Sequence, residues 1–94
     1  MKFNRVRLEN GFLAKVESLY QKGGSDILRI VDAIDVYGFS EPEMIVSSED
    51  GDLVERINAD YWHISFHFMD REYKISIRET DTEFVFEKIE IINL

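Results

Sequence analysis

His63 and His67 are the only imidazoles among the 94 residues, and their spacing of four makes them the first place to look for chemistry. On a helix, residues four apart are neighbours and can share a metal ion. On a strand they share a face but stand about 13 Å apart at about 3.3 Å per residue. Zinc needs its ligands about 2 Å from one centre, so the element that carries the pair decides the question. Residues 61–68 read Tyr-Trp-His-Ile-Ser-Phe-His-Phe, apolar and polar in alternation, which predicts a strand. The pair is therefore read as two surface histidines in cross-strand polar rows, and no metal is expected.

Other chemistry finds less support. Glu49-Asp50-Gly51-Asp52 resembles a calcium loop, but an EF-hand with its glycine at Gly51 would start at Val46 and need oxygen ligands at Val46 and Ser48. A turn exposing three carboxylates is the simpler reading. Gly23-Gly24-Ser25 precedes a helical segment and could hold an anion, but Asp26 would repel it. No nucleophile elbow, P-loop, H-E-x-x-H or G-x-G-x-x-G pattern occurs. The chain has no cysteine, which excludes disulfides and thiolate chemistry. No catalytic residue and no cofactor is expected.

Charge says more. The net charge is −8, and it is unevenly spread. Residues 1–30 hold six basic and three acidic side chains, whereas residues 31–94 hold five basic and sixteen acidic. Such a field opposes nucleic acid and anionic membranes, where Lys and Arg supply most of the affinity. Between residues 41 and 60, Glu41, Glu43, Glu49, Asp50, Asp52, Glu55 and Asp60 face a single cation, Arg56. These seven carboxylates are the candidate partner-binding set, suited to a protein with a basic surface. A solvated loop region explains the same residues. No apolar run approaches a membrane span, and residues 1–8 lack the apolar core of a signal peptide, so a cytoplasmic protein is expected.

The elements that would position these groups follow from periodicity. Residues 61–87 predict a three-stranded antiparallel meander. A two-residue turn at Asp70-Arg71 would set Phe68 opposite Tyr73, Phe66 opposite Ile75 and Ile64 opposite Ile77. A second turn at Thr80-Asp81 would set Ile77 opposite Phe84 and Ile75 opposite Phe86. One face is then apolar, and the reverse carries His63, Ser65, His67, Lys74, Ser76, Arg78, Glu83, Val85 and Glu87. In that register His63, Arg78 and Glu83 form one row, and His67, Lys74 and Glu87 another. Beyond Phe86 the apolar parity reverses at Ile89 and Ile91, which predicts a bulge near Glu87-Lys88. Helices ahead of an antiparallel sheet, with histidine beside Arg78, resemble small bacterial ribonuclease toxins at the level of fold. The resemblance implies a basic cleft for RNA, which a net charge of −8 opposes.

Upstream, Leu8, Phe12, Val16, Leu19 and Tyr20 recur at helical intervals, predicting a helix over about 8–21 with Leu13 on the edge of its stripe. Asn10-Gly11 offers a competing hairpin between residues 5–8 and 12–16, and residues 2–7 are a candidate extra strand. Gly23-Gly24 should end the first helix, Ser25 cap a second, and Asp26 complement its positive end. Residues 27–37 are apolar on most sides, which predicts a nearly buried helix against the sheet, ended by Gly38. Residues 44–48 are a short strand candidate. Asp50-Gly51 would turn them into a strand over 53–57, with a short helix capped by Asp52 as the alternative. Asn58-Ala59-Asp60 should turn into the meander.

The fold class expected is a single α+β domain over 1–94, with two N-terminal helices on one face of a four- to five-stranded antiparallel sheet. The function expected is a small acidic non-enzymatic protein-binding module. It would be a bacterial or phage inhibitor or immunity-type protein that blocks a basic, nucleic-acid-acting partner. The alternative is a small ribonuclease-type toxin using His63, His67, Lys74 and Arg78. The last strand, if at a sheet edge, would pair with another chain, as a homodimer or by β-augmentation; the alternative is that Lys88 and Glu90 discourage such pairing.

Overall fold

Alternation along the C-terminal third produces the sheet it predicts. In a computed structural model that describes residues 5–93, β3 (Tyr61–Phe68), β4 (Arg71–Glu79) and β5 (Phe84–Asn93) form an antiparallel meander. Phe66, Ile75 and Phe86 are buried together on one face of it. Two further strands flank it, β1 (Val6–Leu8) beside β5 and β2 (Leu53–Arg56) beside β3, giving the order β1-β5-β4-β3-β2. The sheet is mixed, not wholly antiparallel, because β1 runs parallel to β5. Parallel pairing requires a crossover, and here the long path through the helices and the meander supplies it. Residues 2–4 of the candidate extra strand lie outside the described residues.

The register differs from expectation by two residues at the first turn. Phe68 pairs with Arg71, Phe66 with Tyr73 and Ile64 with Ile75, so Met69-Asp70 make the turn. Met69 takes a left-handed φ of 58°, the conformation that primed hairpin turns demand and that glycine or asparagine usually fills. At the second turn, Thr80 N–H donates to Glu83 O, and Ile77 faces Phe86 instead of Phe84. Both shifts preserve parity, so the apolar face survives. The polar rows do not: Glu55, His63, Ser76 and Lys88 form one, and Leu53, Ser65, Lys74 and Glu90 the next. The expected bulge is present, because Ile77 pairs with Phe86 and Ser76 with Lys88, leaving Glu87 as the extra residue.

Helix α1 (Asn10–Ser18) starts after Leu8 and excludes the hairpin reading; it buries Phe12 and Val16. Phe12 meets Phe86 edge-on with centroids 5.3 Å apart. Between α1 and α2 (Ser25–Tyr37) the chain passes through a π-helical turn, Tyr20–Gly24, where Gly23 adopts φ 102°. A Cβ on Gly23 would press on the Tyr73 ring, and one on Gly24 would meet Leu19 O at 2.8 Å. That break frees the Lys22 carbonyl, which accepts a hydrogen bond from the buried Tyr73 hydroxyl.

Ser25 does not cap α2; Gly24 holds the cap position, and no side chain bonds there. Asp26 does lie in the first turn. Ile27, Ile30, Val31, Ala33 and Ile34 are buried, but Leu28 and Val36 are exposed, so α2 packs through one face and is not buried all round. Gly38 closes it at φ 63°, its N–H bonding Ile34 O.

Residues 44–48 are not a strand. Single 3₁₀ turns at Pro42–Met44 and Ser48–Asp50 bracket Ile45 and Val46, which are both buried. Two adjacent buried side chains cannot come from an extended strand with one wet face. Consequently β2 pairs with β3 and not with a segment before it, and the helix capped by Asp52 is absent. Asn58 forms the expected turn, its Oδ1 accepting from the N–H groups of Asp60 and Tyr61 at 2.8 and 3.0 Å.

Candidate functional site

The helices cover one face of the sheet, so the charged groups that could meet a partner lie on its open face and on the acidic surface of α2 and residues 39–52.

On the open face, charge is internally balanced. Arg78 Nε donates to Glu87 Oε2 at 2.8 Å, and Tyr61 Oη donates to Glu87 Oε1 at 3.0 Å. The bulge brings Glu87 to this position, diagonal to the Tyr61–Arg78 pair. The Arg78 hydrogen bond holds the Glu87 carboxyl below the usual range, against an opposing effect of burial and with help from Tyr61. The same contact raises the Arg78 guanidinium, and the Tyr61 phenol is raised by its bond to Glu87 and by desolvation. Arg7 Nε meets Glu83 Oε1 at 3.1 Å, and Lys88 Nζ meets Glu90 Oε1 at 3.2 Å.

The histidines stand where the alternation puts them, both on this open face, but they are not brought together. His63 lies across from Glu55 and Ser76. His67 is tied to Asp52, whose Oδ1 accepts from the His67 backbone N–H at 3.0 Å and lies 3.2 Å from Nδ1. Lys74 faces Ser65 and Glu90. Among the described residues, no group of three metal-ligating side chains converges. The hollow lined by Lys22, Phe68, Met69, Asp70, Arg71 and Tyr73 measures about 170 Å³. Small-molecule pockets measure about 300–1,000 Å³; hollows of about 400 Å³ beside Arg78 and about 390 Å³ beside Arg29 reach that size but lie open to solvent.

The seven acidic residues separate into three groups. Glu41, Glu43, Glu49 and Asp50 are exposed on the connection after α2. Asp52 is withdrawn into its bond with His67, its side chain only 9% exposed. Glu55 sits on β2 in the open face, and Asp60 lies at the far end of β2, beside Glu79 and Asp81. Arg29 on α2 anchors the connection by donating from Nη1 to Ile45 O at 3.2 Å, and Glu43 and Glu49 share an open hollow with it.

Charge counting in 41–60 missed two features. First, α2 adds Asp26 and Asp32 to the acidic surface, with exposed Leu28 and Val36 beside Asp32 at four-residue helical spacing, and Met44 is exposed on the connection. The signal was available for Asp32, which interrupts the apolar run of residues 27–37. Second, Arg56 is consumed internally. It packs over the Trp62 ring at 4.4 Å, bonds Glu79 at 2.9 Å and donates to the carbonyls of Asn58 and Ala59. Trp62 stacks on Phe39 at 4.1 Å and donates its indole N–H to Glu79.

Among the described residues no helix is long and apolar enough to cross a membrane. No protein-family model, curated protein or solved structure matches the chain.

Proposed function

We propose that this chain is a non-enzymatic protein-binding module, an inhibitor or immunity-type protein of bacterial or phage origin. It would block a basic, nucleic-acid-acting partner in the cytoplasm. One observation carries the reading: over residues 25–51 seven carboxylates stand against one cation, Arg29, which donates to Ile45 O. The same segments also expose the apolar side chains of Leu28, Val36 and Met44. An apolar centre with a charged rim is the usual anatomy of a protein interface, and a field of one sign speeds encounter with a basic partner.

The ribonuclease-type alternative has less support. Arg78, Arg7 and Lys88 each pair with a carboxylate and His67 with Asp52, which leaves only Lys74 and His63 of the named set to meet RNA. Proteins captured on the immobilised chain decide between the readings. A basic protein should be retained at low salt and released as salt rises. The double variant Glu43→Lys, Glu49→Lys should lose it, while His63→Ala should keep it. RNA cleavage that depends on His63 or His67, with no protein retained, refutes the proposal.

A further inference from the structure

We propose that the C-terminal half of β5 is a homodimerisation edge, which pairs antiparallel with the same segment of a second copy about Ile91. β1 covers β5 only from Phe84 to Phe86. There, Phe84 N–H donates to Arg5 O, and Phe86 O accepts from Glu9 N–H, so both residues turn their backbone groups toward β1. For L-residues of one strand, the face a side chain takes fixes the direction of its N–H and C=O. Ile89 and Ile91 share the covered face with Phe84 and Phe86, so they aim their backbone groups the same way. Beyond Glu9 nothing meets them: among the described residues no backbone or side-chain hydrogen bond reaches that edge.

The other edges of the sheet are blunted. β1 is three residues long, and β2 is four and carries the exposed Glu55 and Arg56. Short or charged edges resist pairing. The uncovered stretch of β5 is longer and carries no proline, and its two charges, Lys88 and Glu90, pair with each other on the open face.

The side chains select a register. Placing Lys88 opposite Glu90 of the second copy would drive that copy's strand into Glu9, which already occupies Phe86 O. Placing Glu90 opposite its own equivalent sets like charges face to face, which is unfavourable. With Ile91 opposite Ile91 of the second copy, Ile89 faces Asn93, Glu90 faces Ile92, and both problems vanish. The two sheets then continue as one, each burying its apolar face under its own helices. Two chains of charge −8 repel, so association should strengthen with salt.

Sedimentation of the purified chain over a range of concentrations, with amide exchange on the same samples, tests this. Mass should rise from one chain to two, at lower concentration in higher salt. Exchange at Ile89 and Ile91 should slow in step, while Lys88 and Glu90, whose N–H groups face β4, should not change. Ile91→Pro removes an outward N–H and spares the β4 ladder. It should weaken association about tenfold or more, since the central pair exchanges two hydrogen bonds. In case that variant folds poorly, Ile91→Cys introduces the chain's one thiol, which in this register faces its equivalent at a Cα separation of about 5.5 Å and should oxidise to a covalent dimer. A monomer with fast Ile89 and Ile91 exchange at every concentration overturns the proposal. So does a dimer that folded Ile91→Pro leaves intact, or protection of this edge that appears only when a different protein is added.

Discussion

The two faces of the sheet come from the same strands and the same alternation, yet they are held by different forces. On the covered face, Tyr73, Ile75, Ile77 and Phe86 are fully buried, and each is held by the shape of its neighbours. On the open face, Tyr61, Arg78 and Glu87 hold one another by hydrogen bonds at a half-wet surface. Burial removes area from water irrespective of salt or pH, whereas charged contacts at a surface compete with solvent at every step. Stability should therefore reside in one face and tolerance of change in the other.

The largest effect belongs to the covered face. Phe86 is fully buried and supports Phe12 of α1 edge-on, so Phe86→Ala leaves a cavity at the junction of helix and sheet. It should cost about 3–5 kcal/mol, a loss that urea denaturation would register as a lower midpoint at similar slope. A variant within 1 kcal/mol of the parent would mean that α1 does not seal the face. Next comes Tyr73→Phe, which keeps the ring stacked on Phe66 but strands the Lys22 carbonyl in the helix break. The expected loss is about 0.5–1.5 kcal/mol, the net worth of one hydrogen bond. Its amide-exchange signature should localise to residues 19–24.

Alternation in residues 61–86 determines which face each side chain takes, but it cannot choose between registers two residues apart, because both keep Ile64, Phe66, Ile75, Ile77, Phe84 and Phe86 inside. The choice fell to the turn, and Met69 in a left-handed conformation follows no common turn signature. The extra strand read over residues 2–7 is found at Val6–Leu8; its end was misplaced because Leu8 also fits the helical stripe, and its parallel pairing with β5 left no sequence signal. The connection was misjudged because Met44, Ile45 and Val46 look β-prone; two consecutive buried residues after Pro42 argued for a turn instead. For the acidic set, sequence revealed charge but not its dispersal, since Asp52 and Asp60 lie at opposite ends of β2. The Glu87 cluster depended on the bulge, which parity did reveal, and on a register, which it did not.

The open face should show itself in pH dependence. The folded pKa of Glu87 is depressed, so its contribution is fully present above the ordinary carboxylate range and is lost as pH falls through the depressed value. Glu87→Gln should therefore be less stable than the parent near neutrality and converge on it in acid. Denaturation midpoints across the acid range check this. Parallel curves would mean that solvent already screens the contact. Arg7 and Glu83, more exposed, should matter less, and Glu83→Gln should stay within about 0.5 kcal/mol.

The smallest effect should have the opposite sign, and it separates the open face from the acidic surface. Glu43 and Glu49 are exposed and make no hydrogen bond or ion pair with the described residues. Each sits in a chain of charge −8, among other carboxylates, where its charge adds repulsion that the single nearby cation, Arg29, offsets only in part. Removing one relieves that repulsion, so Glu49→Gln should leave stability unchanged or raise it by about 0.5 kcal/mol or less, most visibly at low salt. A clear loss on Glu49→Gln would reveal a structural role for the connection and remove the reason to assign its charge to a partner. A neutral or stabilising result leaves these carboxylates unexplained by folding, which is the condition a binding surface must meet.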